Sequence, residues 1–221
     1  MSTYALIHGA GDVGWYWHLV EAELRARGHD VVAVDLPVED DAANLTDYAD
    51  VVVAAIGDRR DVVVVAQSFG GYTAPIVCDR VGARLLVLVA GMIPAPGESA
   101  EQMLTNTGYQ RPARGESGAL AVFYQDVPPA LARDAMARGR RQSETPGKQP
   151  WPLAAWPKVP TRFLLCRDDR FFPATWLRRV VHARLGITPD EIDGGHTPAL
   201  SRPKELADRL EHYRTALPAG A

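Results

Sequence analysis

Val62-Val63-Val64-Val65-Ala66-Gln67-Ser68-Phe69-Gly70-Gly71 is a β-branched apolar run that ends in a serine set among small residues. Four valines in a row have the length and side-chain type of a strand buried on both faces. A helical pattern follows from Ala74 to Val81 and stops at Gly82. Strand, tight turn and helix in that order put Ser68 at the centre of a small-x-Ser-x-Gly turn. The turn lifts the serine Oγ clear of the sheet. Small residues two before and two after it prevent clashes where strand and helix nearly touch. Ala66 stands where glycine is commoner, and Gly70 and Gly71 follow. The helix N-terminus offers free N–H groups to a developing anion. A serine there can also simply cap the helix, so Ser68 needs partners elsewhere to count as a nucleophile.

The rest of the chain repeats the same rhythm. Tyr4–Ile7, Val31–Val34, Leu85–Val89 and Phe163–Cys166 read as further buried strands. Helical patterns run from Trp15 to Arg27, Leu45 to Ile56, Thr175 to Leu185 and Pro203 to Leu217. Alternating strands and helices predict an α/β fold, a three-layer α/β/α sandwich with a mostly parallel central sheet of about six strands. Its crossovers should be right-handed. Residues 94–160 break the rhythm. They are rich in Pro, Gly, Arg and Ser, with one possible helix at Ala130–Arg138, and read as a cap or lid inserted in a single domain spanning 1–221.

Composition narrows the function classes. The 221 residues carry a net charge of −3 and no basic block, which argues against a nucleic-acid partner. No stretch approaches the ~20 apolar residues of a membrane span, and none reads as a signal peptide, so the expectation is a cytoplasmic protein. Cys78 and Cys166 sit in apolar contexts and read as inert buried thiols. No Cys/His cluster has metal-ligand spacing, and neither a metal nor an organic cofactor is expected.

The expected partners of Ser68 follow in chain order as acid, then histidine. Past the strand Phe163–Cys166 come Asp168 and Asp169. The two compete to accept the imidazole Nδ1–H bond, with Asp169 preferred. Gly194-Gly195-His196-Thr197 offers His196 as the base, on a loop small enough to swing an imidazole over the sheet edge. Ile7-His8-Gly9-Ala10-Gly11 supplies a small-residue loop after the first strand. The expected oxyanion donors are the N–H groups of Ala10 and Phe69, and His8 reads as a brace for its loop. Trp15, Tyr109, Tyr124 and Trp151 are candidates to line a substrate pocket, and Asp126 and Arg111 candidates for polar recognition.

Together these residues resemble the α/β-hydrolase superfamily, in the esterase branch that holds plant methylesterases and hydroxynitrile lyases. The resemblance rests on His8-Gly9-Ala10 with Gly14-Trp15, Gly28-His29 leading to Val34-Asp35-Leu36, Ala66 to Gly71, Cys166-Arg167-Asp168-Asp169 with Pro173, and Gly195-His196. It covers the chain outside the insertion. It implies a Ser68-His196-Asp169 triad and a small ester as substrate. The expected partner is that small ester, with a homodimer as a possible assembly. In the family the acid lies in a Cys-x-x-Asp-like context, which favours Asp169. The two N-terminal strands of larger relatives are lacking, and the cap is shorter than in the plant enzymes. Lyases of this branch carry Lys after the catalytic His and Thr after the early His. Thr197 and Gly9 hold those positions here, which favours ester hydrolysis over lysis. Ser68 excludes the aspartate-nucleophile chemistry of dehalogenase-like and epoxide hydrolase-like members. A low-turnover binding protein remains the other alternative.

Overall fold

The computed structural model describes residues 1–111 and 118–217. Residues 112–117 of the expected cap lie outside the described residues. Among the described residues six strands form one parallel sheet: β1 (Thr3–Ile7), β2 (Asp30–Ala33), β3 (Val62–Gln67), β4 (Leu85–Val89), β5 (Thr161–Cys166) and β6 (Asp190–Ile192). Their order is β2-β1-β3-β4-β5-β6, and every neighbouring pair is parallel.

The strands alternate their side chains between two apolar layers. Ala5 and Ile7, Val62, Val64 and Ala66, Leu86 and Leu88, and Phe163 and Leu165 face one core. Tyr4 and Leu6, Val63 and Val65, Leu85, Val87 and Val89, and Leu164 and Cys166 face the other. This is the period-2 pleat of strands buried on both sides. Helices α2 (Leu45–Ile56), α3 (Gly70–Val81) and α8 (Ala174–Leu185) cover the first face. Helices α1 (His18–Ala26) and α10 (Pro203–Thr215) cover the second. Helix α2 shows why such segments are helical. Leu45, Tyr48, Ala49, Val52 and Ile56 fall on one buried stripe, and Asn44 with Asp47 forms a capping box at its start.

Three boundaries differ from the sequence pattern. Helix α3 begins at Gly70, four residues before Ala74, because the two glycines are its first turn and not a break before it. The segment read as one helix from Trp15 is a 3₁₀ turn, Gly14–Trp17, followed by α1. Strand β6 has only three residues, two of them charged and half-buried, so it lacks the apolar run that marks the others.

Between β4 and β5 the described chain forms α4 (Ala100–Asn106), α5 (Gly118–Phe123), α6 (Pro129–Arg138) and α7 (Thr145–Lys148). Two further features matter for the site: α9 (Pro198–Ser201) follows β6, and the sheet reverses direction of growth between β1 and β3. The carboxyl ends of β1 and β3 therefore flank a topological switch point, where open α/β sheets form a crevice. Among the described residues, no helix is long and apolar enough to cross a membrane.

Candidate active site

Ser68 follows β3 at that crevice with φ of +52°, a left-handed conformation that L side chains rarely adopt. Such a backbone costs on the order of 1–2 kcal/mol and persists only where its surroundings hold it. Here they do. Ser68 N donates to Val89 O, and Ser68 O accepts from Gly71 N at 3.1 Å and Met92 N at 2.9 Å. The two glycines make the turn possible. A Cβ on Gly70 would lie 2.8 Å from His8 O, and one on Gly71 would overlap Met92 O and touch Met92 C at 3.0 Å. Both obstacles are backbone and cannot rotate away. Gly71→Ala is therefore expected to destabilise the fold by about 3 kcal/mol or more. Chemical denaturation measures this, and a midpoint equal to the wild type's would contradict the packing described.

His196 lies on the loop between β6 and α9, only 3 % exposed. Its Nδ1 is 2.7 Å from Asp169 Oδ2, and Asp169 is 6 % exposed. Asp169 Oδ1 accepts from Phe171 N at 2.8 Å and Phe172 N at 2.9 Å, which fixes the carboxylate plane. A carboxylate can only accept, so Nδ1 carries the proton and Nε2 is left with its lone pair. The rings of Phe123, Phe171 and Phe172 stand 5.2–5.4 Å from the imidazole and shield it from water. Asp168 has a different role. Its Oδ2 accepts from Gly194 N at 3.2 Å, and its own N donates to Gly194 O. One aspartate holds the ring and the other holds the loop.

Further groups pin that loop. Gln67 Nε2 donates to His196 O at 3.0 Å, tying the residue before Ser68 to the histidine. Thr197 Oγ1 donates to Phe123 O at 2.6 Å. Asp126 Oδ2 accepts from Gly195 N at 2.9 Å, which corrects its reading as a substrate-recognition group: it is a support for the histidine loop. Gly194, at φ +104°, could carry no Cβ without striking Asp126 Oδ2.

The loop after β1 is braced from below. Leu36 N donates to His8 Nε2 at 3.1 Å, so His8 Nδ1 carries the proton and donates to Gly9 O at 2.9 Å. Burial lowers the His8 pKa to about 4 and keeps it neutral. Gln142, from the segment between β4 and β5, accepts from Gly11 N at 2.9 Å, while Arg140 N donates to Gly11 O at 2.7 Å. Among the described residues the N–H groups of Ala10 and Phe69 have no protein acceptor. Both flank Ser68, so they are available to an oxygen bound beside it.

Two cavities meet at Ser68. The smaller, about 150 Å³, is lined by Ala10, Asp12, Phe123, Tyr124 and Phe171 together with His196. The larger, about 240 Å³, lies on the Phe69 side and is lined by Met92, Ala100, Leu104 and Phe171, with the charged groups Glu101, Arg111 and Glu144 also in its wall. Of the four aromatic residues singled out from sequence, Tyr124 lines the first. Trp151 does not belong to either cavity: it is a core residue, 2 % exposed, whose indole donates to Tyr72 O. Tyr109 stands behind the wall, its hydroxyl donating to Phe171 O at 2.7 Å. Trp15 stacks on His18 at 4.2 Å and carries the Arg138 guanidinium 4.5 Å from its ring. Phe123, Phe171, Gln67 and Asp12 were not singled out from sequence. Gln67 had a signal, its place inside the serine turn; the others depend on which way the chain folds back over the crevice. Cys78 and Cys166 are buried and free, and burial pushes both thiols up, so neither forms a thiolate readily.

Comparison with known proteins agrees with this architecture. The profile described as the alpha/beta hydrolase family matches residues 5–209. Methylesterase 7 of Arabidopsis thaliana is 33 % identical over 244 aligned positions, covering 94 % of each chain. Probable esterase PIR7A of Oryza sativa is 25 % identical over 250 positions, again with 94 % of each covered. Among solved structures, polyneuridine aldehyde esterase superposes with a TM-score of 0.84 at 20 % identity, covering 96 % of this chain and 99 % of its own. A pyrethroid hydrolase from Sphingobium faniae superposes at 0.77, also at 20 % identity, covering 97 % and 98 %. The chain belongs to the alpha/beta hydrolase family, in the branch of the plant methylesterases, and is a hydrolase of the esterase type.

Proposed function

We propose that this enzyme cleaves a small carboxylic ester through an acyl-enzyme on Ser68, with His196 as base and Asp169 as its orienting acid. The observation that carries the reading is the 2.7 Å pair of His196 Nδ1 and Asp169 Oδ2, in a site where His196 and Ser68 line one cavity. Nε2 takes the proton of Ser68 Oγ as that oxygen attacks the ester carbonyl. The carbonyl oxygen gains charge and is held by the Ala10 and Phe69 N–H groups. Each such donor typically contributes about 3–4 kcal/mol to the transition state. The imidazolium then protonates the departing alcohol. Water attacks the acyl carbonyl with Nε2 again as base, and the acid leaves. Asp169 stabilises the imidazolium at both stages without taking its proton. The segment between β4 and β5 serves as a cap, and its ties to Gly11 through Arg140 and Gln142 hold the oxyanion loop in place.

The relatives' names, methylesterase and esterase, agree with a small ester. Lyase chemistry would need a cation beside His196. Among the residues lining the smaller cavity there is no lysine or arginine, and Asp12 puts an acidic group there instead. The test is labelling by a fluorophosphonate together with a panel of esters, lactones and amides. We expect the label on Ser68 alone and turnover of short esters. Folded protein that neither takes the label nor turns over any ester would make this a binding protein and overturn the reading.

A further inference from the structure

Asp12 is a carboxylate that has no countercharge among the described residues, in the wall of the cavity that His196 lines. Its Oδ1 accepts from Val13 N at 2.9 Å. Among the described residues no lysine, arginine or histidine pairs with it. Another carboxylate, Asp35, acts on it and disfavours its charge further, and the partner of Asp35, Arg140, is engaged with it at 2.9 Å. Around Asp12 the wall is aromatic, with Phe123, Tyr124 and Phe171. A half-buried anion with no countercharge is costly, and a cation brought to it offsets that cost. Aromatic faces attract cations in the same way, most strongly where water is excluded.

We infer that Asp12 makes this cavity a seat for an alkylammonium group on the alcohol half of the ester. The inference rests on the esterase reading for the word alcohol. The departing oxygen must receive its proton from His196 Nε2, so the alcohol lies in the cavity that His196 lines. The acyl group then occupies the larger, more apolar cavity on the Phe69 side, which His196 does not line. Burial raises the Asp12 pKa to about 6, so the group is still an anion at neutral pH. An uncharged alcohol leaves it unpaired, and an anionic one is repelled.

The experiment compares 2-(dimethylamino)ethyl butyrate with its carbon isostere 3-methylbutyl butyrate at pH 7.5, in wild type and in Asp12→Asn. The ratio of kcat/KM, ammonium ester over isostere, is expected to fall at least ~10-fold in the variant. Using a ratio removes the intrinsic reactivity of each ester and any general loss in the variant. A second pair, ethyl 4-(dimethylamino)butanoate and ethyl 5-methylhexanoate, places the charge on the acyl half, and its ratio is expected to hold. The same butyrate ratio in both proteins overturns the inference, as does a fall confined to the acyl pair. If no ester is turned over, the esterase reading fails, and calorimetric titration with choline decides the role of Asp12 separately. Binding to wild type and not to Asp12→Asn supports the cation seat; no binding to wild type, or equal binding to both, overturns it.

Discussion

Ser68→Ala is expected to lower kcat for p-nitrophenyl butyrate by roughly 10⁶-fold, to a rate set by background attack of water. In the proposed mechanism alanine removes the atom that forms the acyl-enzyme, and it leaves the rest of the turn as it is. The φ of +52° costs Ala and Ser alike, and Val89 O, Gly71 N and Met92 N bond to backbone atoms that Ala keeps. The thermal midpoint of the variant is accordingly expected to stay close to the wild type's. Steady-state kinetics and a thermal melt on the same preparation therefore separate chemistry from folding. Residual esterase activity within about tenfold of wild type would place the nucleophile elsewhere, and fluorophosphonate labelling would show where.

Much of the fold is readable from the chain because a doubly covered parallel sheet leaves an unusual trace. Strands such as Val62–Val65 and Leu85–Val89 touch apolar layers on both sides, so every position is hydrophobic and short apolar runs stand out. The trace fades where burial does. Strand β6 lies at the sheet edge, and Asp190 and Glu191 occupy two of its three positions. It is specified by its pairing with Leu164–Cys166, a tertiary fact with no local pattern. The start of α3 is hidden for another reason. Glycine ordinarily signals a helix end, but Gly70 and Gly71 are needed inside the first turn because His8 O and Met92 O approach so closely.

The site divides along the same line. Ser68, Asp169 and His196 follow strand ends, and strand ends are what the pattern locates. The groups that hold them come from other segments. Asp126 and Phe123 reach the histidine loop, and Gln125 the aspartate loop through Asp168 O, from the region between β4 and β5, where no periodicity indicates which residues turn inward. Aromatic residues in that region are ambiguous for the same reason. Trp151 and Tyr124 look alike in sequence, yet one fills the core under α3 and the other faces the cavity. Asp12 comes directly after Gly11, the last residue of the small-residue loop. That it has no cationic partner among the described residues becomes visible only once Arg140 is seen on Asp35.

The doubled aspartate gives the sharpest discrimination. Asp169→Asn is expected to cut kcat by about 10⁴-fold, and Asp168→Asn by less than about tenfold. The difference follows from what each carboxylate accepts. Asp169 Oδ1 receives two backbone N–H groups, from Phe171 and Phe172. In the Asp169→Asn variant only the amide oxygen can take that place, since an NH₂ would face two donors. The NH₂ is thereby turned toward His196 Nδ1, which must become the acceptor. The ring proton then moves to Nε2, and the nitrogen that should take the Ser68 proton already carries one. The amide of Asp168→Asn, by contrast, can still offer an oxygen to Gly194 N, so the loop keeps its anchor. Kinetics of the two variants, beside their melting temperatures, measure this directly. Equal losses in both, or a larger loss in Asp168→Asn, would transfer the acid's role to Asp168. A large loss confined to Asp169→Asn with an unchanged melting temperature is the signature of a tautomer forced the wrong way by two backbone hydrogen bonds.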